Sequence, residues 1–353
     1  MLYSDLKIFH FPEKIHSLDR GAPVSGPLHL RIKPTNICNH RCYYCCFRTP
    51  EAGPMGQTMN EKDSIAIEKL LETLSDFATM GGRAVTFSGG GEPFVYPHLL
   101  RAAEHAANSG LQFASLTNGA RLLGDVAEFF ARYGSWVRVS MDGWDDDSYS
   151  RYRGVNSGEY RRILQNMENF VEIGGNCALG VSFNIDKENY PHIPSILHDL
   201  KARGIRSVQL SACIVSTDRE TQQAYHRSFY EKAQSIIKES IHTLSTTNFE
   251  IKDKYTVVEE QYENTFPWCP FLQILTVIGA DACVYSCQHK AYNTLGFLGN
   301  LYEMRFRTFW EKDKEKFYKI TPTHDCKHSC VAHIKNKLIL DYLKIDTRHI
   351  DFV

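Results

Sequence analysis

The reading turns on residues 38–45, Cys38-Asn39-His40-Arg41-Cys42-Tyr43-Tyr44-Cys45, where three cysteines are separated by three and then two residues. They follow an alternating apolar segment, Leu28 to Ile32, across a short turn with Pro34 and Asn36. Clustered thiolates at short spacing select soft metals, and zinc or an iron–sulfur cluster is the usual outcome. Structural zinc takes four protein ligands, often as two Cys-x-x-Cys pairs. No fourth ligand lies nearby in this sequence. A 4Fe–4S cluster on three cysteines leaves one iron open to a small molecule.

Composition narrows the rest. The 353 residues suffice for one large domain and a smaller one, and 43% hydrophobic content can fill a core. A net charge of −1 gives no electrostatic case for nucleic acid or an anionic membrane. Met1 to Ile15 has no apolar run of signal-peptide type, and no stretch approaches a membrane span. The expected location is the cytoplasm. There, the eleven cysteines mean metal ligands or thiol chemistry, not disulfides. Three, with Cys46 beside them, share one loop; five lie between Cys269 and Cys330; Cys177 and Cys213 stand alone.

Residues 1–27 show no strong period and read as an extension packed on the domain that follows. From Leu28 a strand–helix rhythm begins. The strand candidates are Leu28–Ile32, Ala84–Phe87, Leu111–Leu116, Trp136–Ser140, Leu179–Ile185 and Ser207–Leu210, each short, β-branched or aromatic, and bounded by turn residues. Helices separate them: one capped by Asn60, one from Pro97 to Gly110, one over 125–133, one capped by Ser157, one ending at Gly204, and a long one over 218–244. Six such units predict a parallel α/β sheet, doubly wound or curved into a partial barrel. In either, chemistry gathers beyond the C-terminal strand ends. Those ends carry Ser88-Gly89-Gly90-Gly91-Glu92-Pro93, Thr117-Asn118-Gly119, Ser140-Met141-Asp142-Gly143 and Asn184. Consecutive glycines let backbone approach a ligand closely; a flexible turn is the plainer reading. Asn118-Gly119 is first a turn dipeptide, and Asp142 can equally be a cap.

The Cys-x3-Cys-x2-Cys run with Tyr44 before its third cysteine resembles the signature of the radical S-adenosylmethionine (radical SAM) superfamily. That resemblance implies a (β/α)6 partial TIM barrel over residues 28–245. It implies a 4Fe–4S cluster on Cys38, Cys42 and Cys45, whose open iron takes the amino and carboxylate groups of S-adenosylmethionine, and reductive cleavage to a 5′-deoxyadenosyl radical. It also implies cofactor contacts from Tyr44, Gly89, Gly90, Gly91, Glu92 (to the methionyl ammonium), Asn118, Ser140, Asp142 and Asn184. One of Arg151, Arg153, Arg161 and Arg162 can pair with the cofactor carboxylate, with surface solvation as the default.

Past Thr246 the composition changes. Leu275–Ile278, the turn Gly279-Ala280-Asp281-Ala282 and Val284–Cys287 read as a hairpin, and the end carries Cys326-Lys327-His328-Ser329-Cys330. Residues 246–353 are similar to the SPASM or twitch extension of radical SAM enzymes. The implied ligands of one auxiliary 4Fe–4S cluster are Cys269, Cys287, Cys326 and Cys330. Ala282 stands where glycine is usual, which leaves Cys283 and Cys287 as competing ligands. A zinc site on the same thiolates, with His324, His328 or His333 as substitutes, is the other reading. Five cysteines in this part cannot ligate two clusters fully.

The expected function is hydrogen abstraction from a small polar metabolite of sugar, aminocyclitol or nucleotide-sugar type, ending in oxidation, elimination or epimerisation. Flavodoxin or ferredoxin is the implied electron donor. Peptide or protein maturation is the alternative, and a non-catalytic iron–sulfur or zinc redox or scaffold protein the alternative from another class. Cys213, just past the sixth strand, is the candidate hydrogen donor to a substrate radical; the plainer reading is a small buried hydrophobe.

Overall fold

The computed structural model describes residues 4–49 and 56–351; residues 1–3 of the expected extension lie outside them. Ten strands form one sheet: β1 (His29–Ile32), β2 (Ala84–Phe87), β3 (Gln112–Thr117), β4 (Trp136–Ser140), β5 (Ala178–Ile185), β6 (Ser207–Ala212), β7 (Glu250–Asp253), β8 (Leu275–Ile278), β9 (Cys283–Tyr285) and β10 (Phe297–Asn300). Their order is β10-β9-β8-β1-β2-β3-β4-β5-β6-β7. Neighbours from β1 to β7 pair in parallel, so the sheet is an open, partial barrel. The six expected strands are there with ends within two residues.

Alternation along each strand sorts the side chains. Leu30, Ile32, Val85, Phe87, Phe113, Val137, Val139, Val181 and Val208 are buried in the main core. The other face lines the lumen. His29 bonds Thr86 across it (2.8 Å) and Arg138 donates to Gln209 (3.2 Å). The same alternation turns Arg31, Ser140, Asn184 and Ser211 to this face.

Five local features differ from the sequence reading. The strand rhythm, expected to stop near Thr246, continues through β7, which pairs in parallel with β6. The carboxy-terminal hairpin is not a separate sheet: β8 pairs in parallel with β1, extending the barrel sheet past its first strand. Asn60 does not cap a helix, because the helix starts at Ile67; its side chain holds a turn, donating to Asp63 (2.7 Å) and accepting from the Lys62 amide (3.1 Å). The long last helix breaks into Arg219–Arg227 and Tyr230–Leu244, and Gly158, not Ser157, precedes the helix Glu159–Ile173.

A helix that the apolar pattern hides, Asp146–Arg153, opens with a reciprocal cap between Asp145 and Ser148 and closes on Gly154 at φ 60°. Its sequence, DDSYSRYR, has no apolar stripe to announce it. Residues near both chain ends pack together: Ile8, Ile15 and Leu18 are buried with Ile274 and Ile339. Ala282 adopts φ 59°, which glycine would take without strain. Its methyl group is fully buried in the core.

Candidate active site between two thiol groups

The first thiol group sits on the loop after β1. Backbone bonds tie it to the end of the hidden helix: the Arg41 amide donates to the Arg153 carbonyl (2.8 Å) and the Tyr43 amide to that of Tyr152 (3.3 Å). Arg48 donates to the carbonyl of Asn36 (2.6 Å), and Asn118 Nδ2 to Asn39 Oδ1 (2.8 Å). Cys38 Sγ accepts from the His40 amide (3.5 Å) and Cys42 Sγ from Arg153 (3.5 Å). Burial pushes the Cys38 thiol up to about 11, and the nearby Glu92 and Cys42 charges push the same way. Burial raises Cys45 too, with Cys42 adding to it. Three sulfurs that crowd each other electrostatically suit a cationic centre that takes them as thiolates.

The glycine run serves the chain itself first. A Cβ at Gly90 would meet Asn36 Oδ1 at 2.2 Å; at Gly91, the Ile37 carbonyl at 2.1 Å; at Gly89, the Gly91 carbonyl at 1.8 Å. The run lets the segment after β2 lie against the loop leading to Cys38, beside the close approach to a ligand expected of it. Glu92 accepts from Thr117 Oγ1 (2.7 Å) and the amides of Asn118 (2.6 Å) and Phe94 (3.0 Å). Its carboxylate ties the turn after β2 to the end of β3. Asn118 is part of that tie, and its Oδ1 accepts from the Ala120 amide (3.0 Å), as an Asx turn does.

Asp142 is likewise engaged. Arg153 donates to it (2.6 Å), as do Tyr44 Oη and the Asn184 amide (2.6 Å), and the pair is fully buried. Asp142 is not a helix cap; it joins the strand ends of β4 and β5 to Arg153 and so to Cys42. Of the four arginines named, only Arg153 lies inside; Arg151 pairs with Glu188 (3.0 Å), Arg161 with Asp146 (2.5 Å) and Arg162 with Glu159 (2.5 Å), each arginine at the surface. Ser140 is half-buried on the lumen face. Cys213 is buried just past β6, its amide donating to Ile185 (2.9 Å). It touches Tyr43, whose hydroxyl also donates to Asp186 (2.9 Å); Tyr152 donates to the same carboxylate (2.9 Å). Burial, with Asp142 and Asp186 nearby, raises the Cys213 thiol, so it stays protonated at neutral pH. Tyr43, Tyr152 and Asp186 were not read from sequence; Tyr43, between Cys42 and Tyr44, offered the one signal.

The second group gathers from three segments, around Cys269, around Cys287 and over 326–330. Cys269, Cys287, Cys326 and Cys330 lie within electrostatic reach of one another, and burial raises every one, Cys269 to about 11 and Cys326 to about 12. Asn336 Nδ2 donates to Cys269 Sγ (3.4 Å) and Asn264 Nδ2 to the carbonyls of Cys326 and His328 (3.0 Å each). Cys283 lies apart, against the Asp281 carbonyl (3.8 Å) and packed on Val277 and Tyr285. Cys287 thus has the company that Cys283 lacks. His328 stacks on His289 (4.6 Å between centroids). Among the described residues no three Cys, His, Asp or Glu side chains converge on one metal ion. A cubane's ligands stand further apart than a single ion's, because irons and sulfides fill the space between them. Both donor sets supply the soft sulfur ligands that such a cluster takes.

Residues 32–200 match the model of the Radical SAM superfamily. Among curated proteins, the chain is 32% identical over 133 residues to GTP 3′,8-cyclase of Aeromonas hydrophila, covering 36% of this chain and 37% of that protein. It is 29% identical over 152 residues to the Haemophilus influenzae enzyme of that name, 42% of each. It thus spans about two fifths of the length of these relatives. Among solved structures, Streptococcus suis SuiB bound to S-adenosylmethionine matches with a TM-score of 0.64 at 16% identity, over 90% of this chain and 73% of that one. anSMEcpe with bound AdoMet matches at 0.57 and 16%, over 84% and 83%. At such identities the likeness is one of fold. No helix among the described residues is long and apolar enough to cross a membrane.

Proposed function

Taking the chain as a member of the radical SAM superfamily through residues 32–200, we propose that it abstracts a hydrogen atom from a substrate held in the barrel lumen, between two iron–sulfur clusters. The observation that carries this is the placement of two thiol groups on one sheet, the first on the loop after β1 and the second around β8 and β9, which pair beside β1. Cys38, Cys42 and Cys45 would hold the first cluster; Cys269, Cys287, Cys326 and Cys330 the auxiliary one. When bound, the first cluster and S-adenosylmethionine supply a 5′-deoxyadenosyl radical.

The chain's own residues do the rest. Arg153 donates to Cys42 and fixes Asp142, so the cysteine loop and the β4–β5 strand ends move as one body. Glu92 does the same for β2 and β3. Lys33, fully buried, donates to the Gly89 carbonyl and holds the glycine run to β1. Cys213 keeps its proton and lies against Tyr43, so its S–H can give a hydrogen atom to a substrate radical. The thiyl left behind is restored by one electron and one proton from the reductant that serves the cluster. Turnover in deuterium oxide tests that role: the product gains one deuterium, and Cys213→Ala removes the gain.

On substrate, the names of the similar proteins fit the alternative better than a sugar or aminocyclitol. SuiB was crystallised with a precursor peptide, and anSMEcpe with a peptide; peptide maturation is the alternative these names fit. The curated relatives are named for a nucleotide. The test of the common reading is product analysis. Anaerobically reduced protein should convert S-adenosylmethionine to methionine and 5′-deoxyadenosine, slowly without substrate. No 5′-deoxyadenosine from iron-loaded protein would refute it.

A further inference from the structure

We propose that His289 donates a ring N–H to a sulfur of the auxiliary cluster and raises that cluster's reduction potential. This rests on Cys269, Cys287, Cys326 and Cys330 holding such a cluster, and adds a residue that tunes it.

Both ring nitrogens of His289 are buried, and neither has a hydrogen-bond partner among the described residues. A neutral imidazole carries one N–H donor and one acceptor nitrogen. Leaving such a group buried and unpaired costs about 1–3 kcal/mol, so buried polar groups are nearly always bonded to something. Two other histidines have more relief. His40 also leaves both ring nitrogens without a hydrogen bond, but the Glu159 carboxylate stands 3.6 Å from its Nε2. His333 leaves Nδ1 unpartnered, and its ring packs on Phe266 (5.2 Å between centroids).

The fold sets the His289 ring among the four thiols. His289 is two residues past Cys287, in the single turn Gln288–Lys290, whose Lys290 amide donates to the Cys287 carbonyl (3.2 Å). Its ring stacks on that of His328 at 4.6 Å. His328 is two residues from Cys326 on one side and two from Cys330 on the other. Lys290 Nζ donates to the Asp325 carbonyl (2.6 Å), which fastens the Cys287 turn to the segment that carries Cys326. Asn264 Nδ2 holds the carbonyls of Cys326 and His328 (3.0 Å each), so the backbone under the partner ring is held as well. The imidazole therefore lies between the two segments that bear Cys287, Cys326 and Cys330.

A cluster on those cysteines supplies the missing partner. Its thiolate and sulfide sulfurs accept hydrogen bonds, and bonds to them are among the levers that set the potential of an iron–sulfur centre. Reduction adds negative charge to the sulfurs. A donor therefore holds the reduced state more strongly, and the potential rises. The competing partner for the ring is a polar group of the substrate, which would leave the potential of the substrate-free cluster unchanged.

The experiment is a redox titration, followed by electron paramagnetic resonance, of the protein carrying both clusters and no substrate. The auxiliary signal is the one that added S-adenosylmethionine does not alter. In His289→Leu its potential should fall, so that at the parent's midpoint the ratio of reduced to oxidised cluster drops at least about threefold. His289→Gln keeps an N–H donor and should recover part of the loss, which a residue that only fills space would not do. His242→Leu, exposed on an outer helix, should change nothing. A second readout needs no change at His289. In protein carrying isotope-labelled histidine, pulsed resonance should show a nitrogen coupling at the reduced auxiliary cluster, retained in His328→Leu. Should His289→Leu fail to take up iron, that coupling decides alone. An unchanged potential in His289→Leu, an equal fall in His289→Gln, or no nitrogen coupling overturns the proposal. Iron content tests the underlying reading separately. About four irons and no signal indifferent to S-adenosylmethionine refute the auxiliary cluster itself; about eight irons beside any of those outcomes refute the role of His289 alone.

Discussion

The two thiol groups are built in opposite ways. Cys38, Cys42 and Cys45 come from one loop of eight residues, held from outside by Arg153, Asn118 and Arg48. Cys269, Cys287 and the pair Cys326 and Cys330 come from three segments spread over the last third of the chain, joined by side-chain bonds of Asn264, Asn336 and Lys290 (to the Asp325 carbonyl, 2.6 Å) and by the Cys330 amide on the Gln261 carbonyl (2.7 Å). The barrel supports the first group whether or not a metal is present. At the second, a metal would itself be the cross-link. A bound centre contributes folding energy where its ligands are dispersed and chiefly chemistry where they are prearranged.

The largest effect should follow from breaking that contrast directly. Cys42→Ala should abolish cleavage of S-adenosylmethionine while changing the melting temperature little. Cys287→Ala should lower the melting temperature markedly as well, by loosening the segments around residues 269, 287 and 326–330. Calorimetry on both variants checks this; equal melting would mean that the second group is prearranged too.

Next in size is Arg153→Met. It leaves the Asp142 carboxylate buried without its cation, and loss of one partner of a buried pair costs about 3–5 kcal/mol. Denaturant unfolding reads the loss. A cost under about 1 kcal/mol would show that Asp142 does not depend on Arg153.

Gly90→Ala should cost about 1–3 kcal/mol, as overpacking does, because its Cβ strikes Asn36. If the variant melts normally yet fails to bind S-adenosylmethionine, the glycine serves the ligand and not the loop. The smallest effect belongs to Cys283→Ser, which should leave the iron content unchanged, since Cys283 lies apart from the four gathered cysteines. Iron lost on Cys283→Ser and kept on Cys287→Ala would reverse the assignment.

The same contrast explains what the sequence disclosed. The first group was legible because its spacing is local, and the six barrel strands because alternation and turn residues mark them. β7 escaped because Glu250-Ile251-Lys252-Asp253 is too polar to read as a strand; of the four, only Ile251 is buried. The helix Asp146–Arg153 escaped for the same reason, and with it the inward position of Arg153, which in sequence is one arginine among four. The choice between Cys283 and Cys287 could not be made from spacing, because strand positions four apart share a face and only the end of β9, between the two, separates them. Asp142 was read as a cofactor contact or a cap and Glu92 as a cofactor contact, without their partners in the chain. Their donors, Asn184 and Arg153 for one and Thr117 and Asn118 for the other, come from separate strand ends that only the fold brings together.

The most direct measurement of the central claim, two clusters on one sheet, is metal content after anaerobic reconstitution. The account predicts about eight irons per chain, the sum of two cubane clusters, with about half left when Cys38, Cys42 and Cys45 are replaced by alanine and about half when Cys269, Cys287, Cys326 and Cys330 are. About four irons with zinc beside them in the unaltered protein would contradict it.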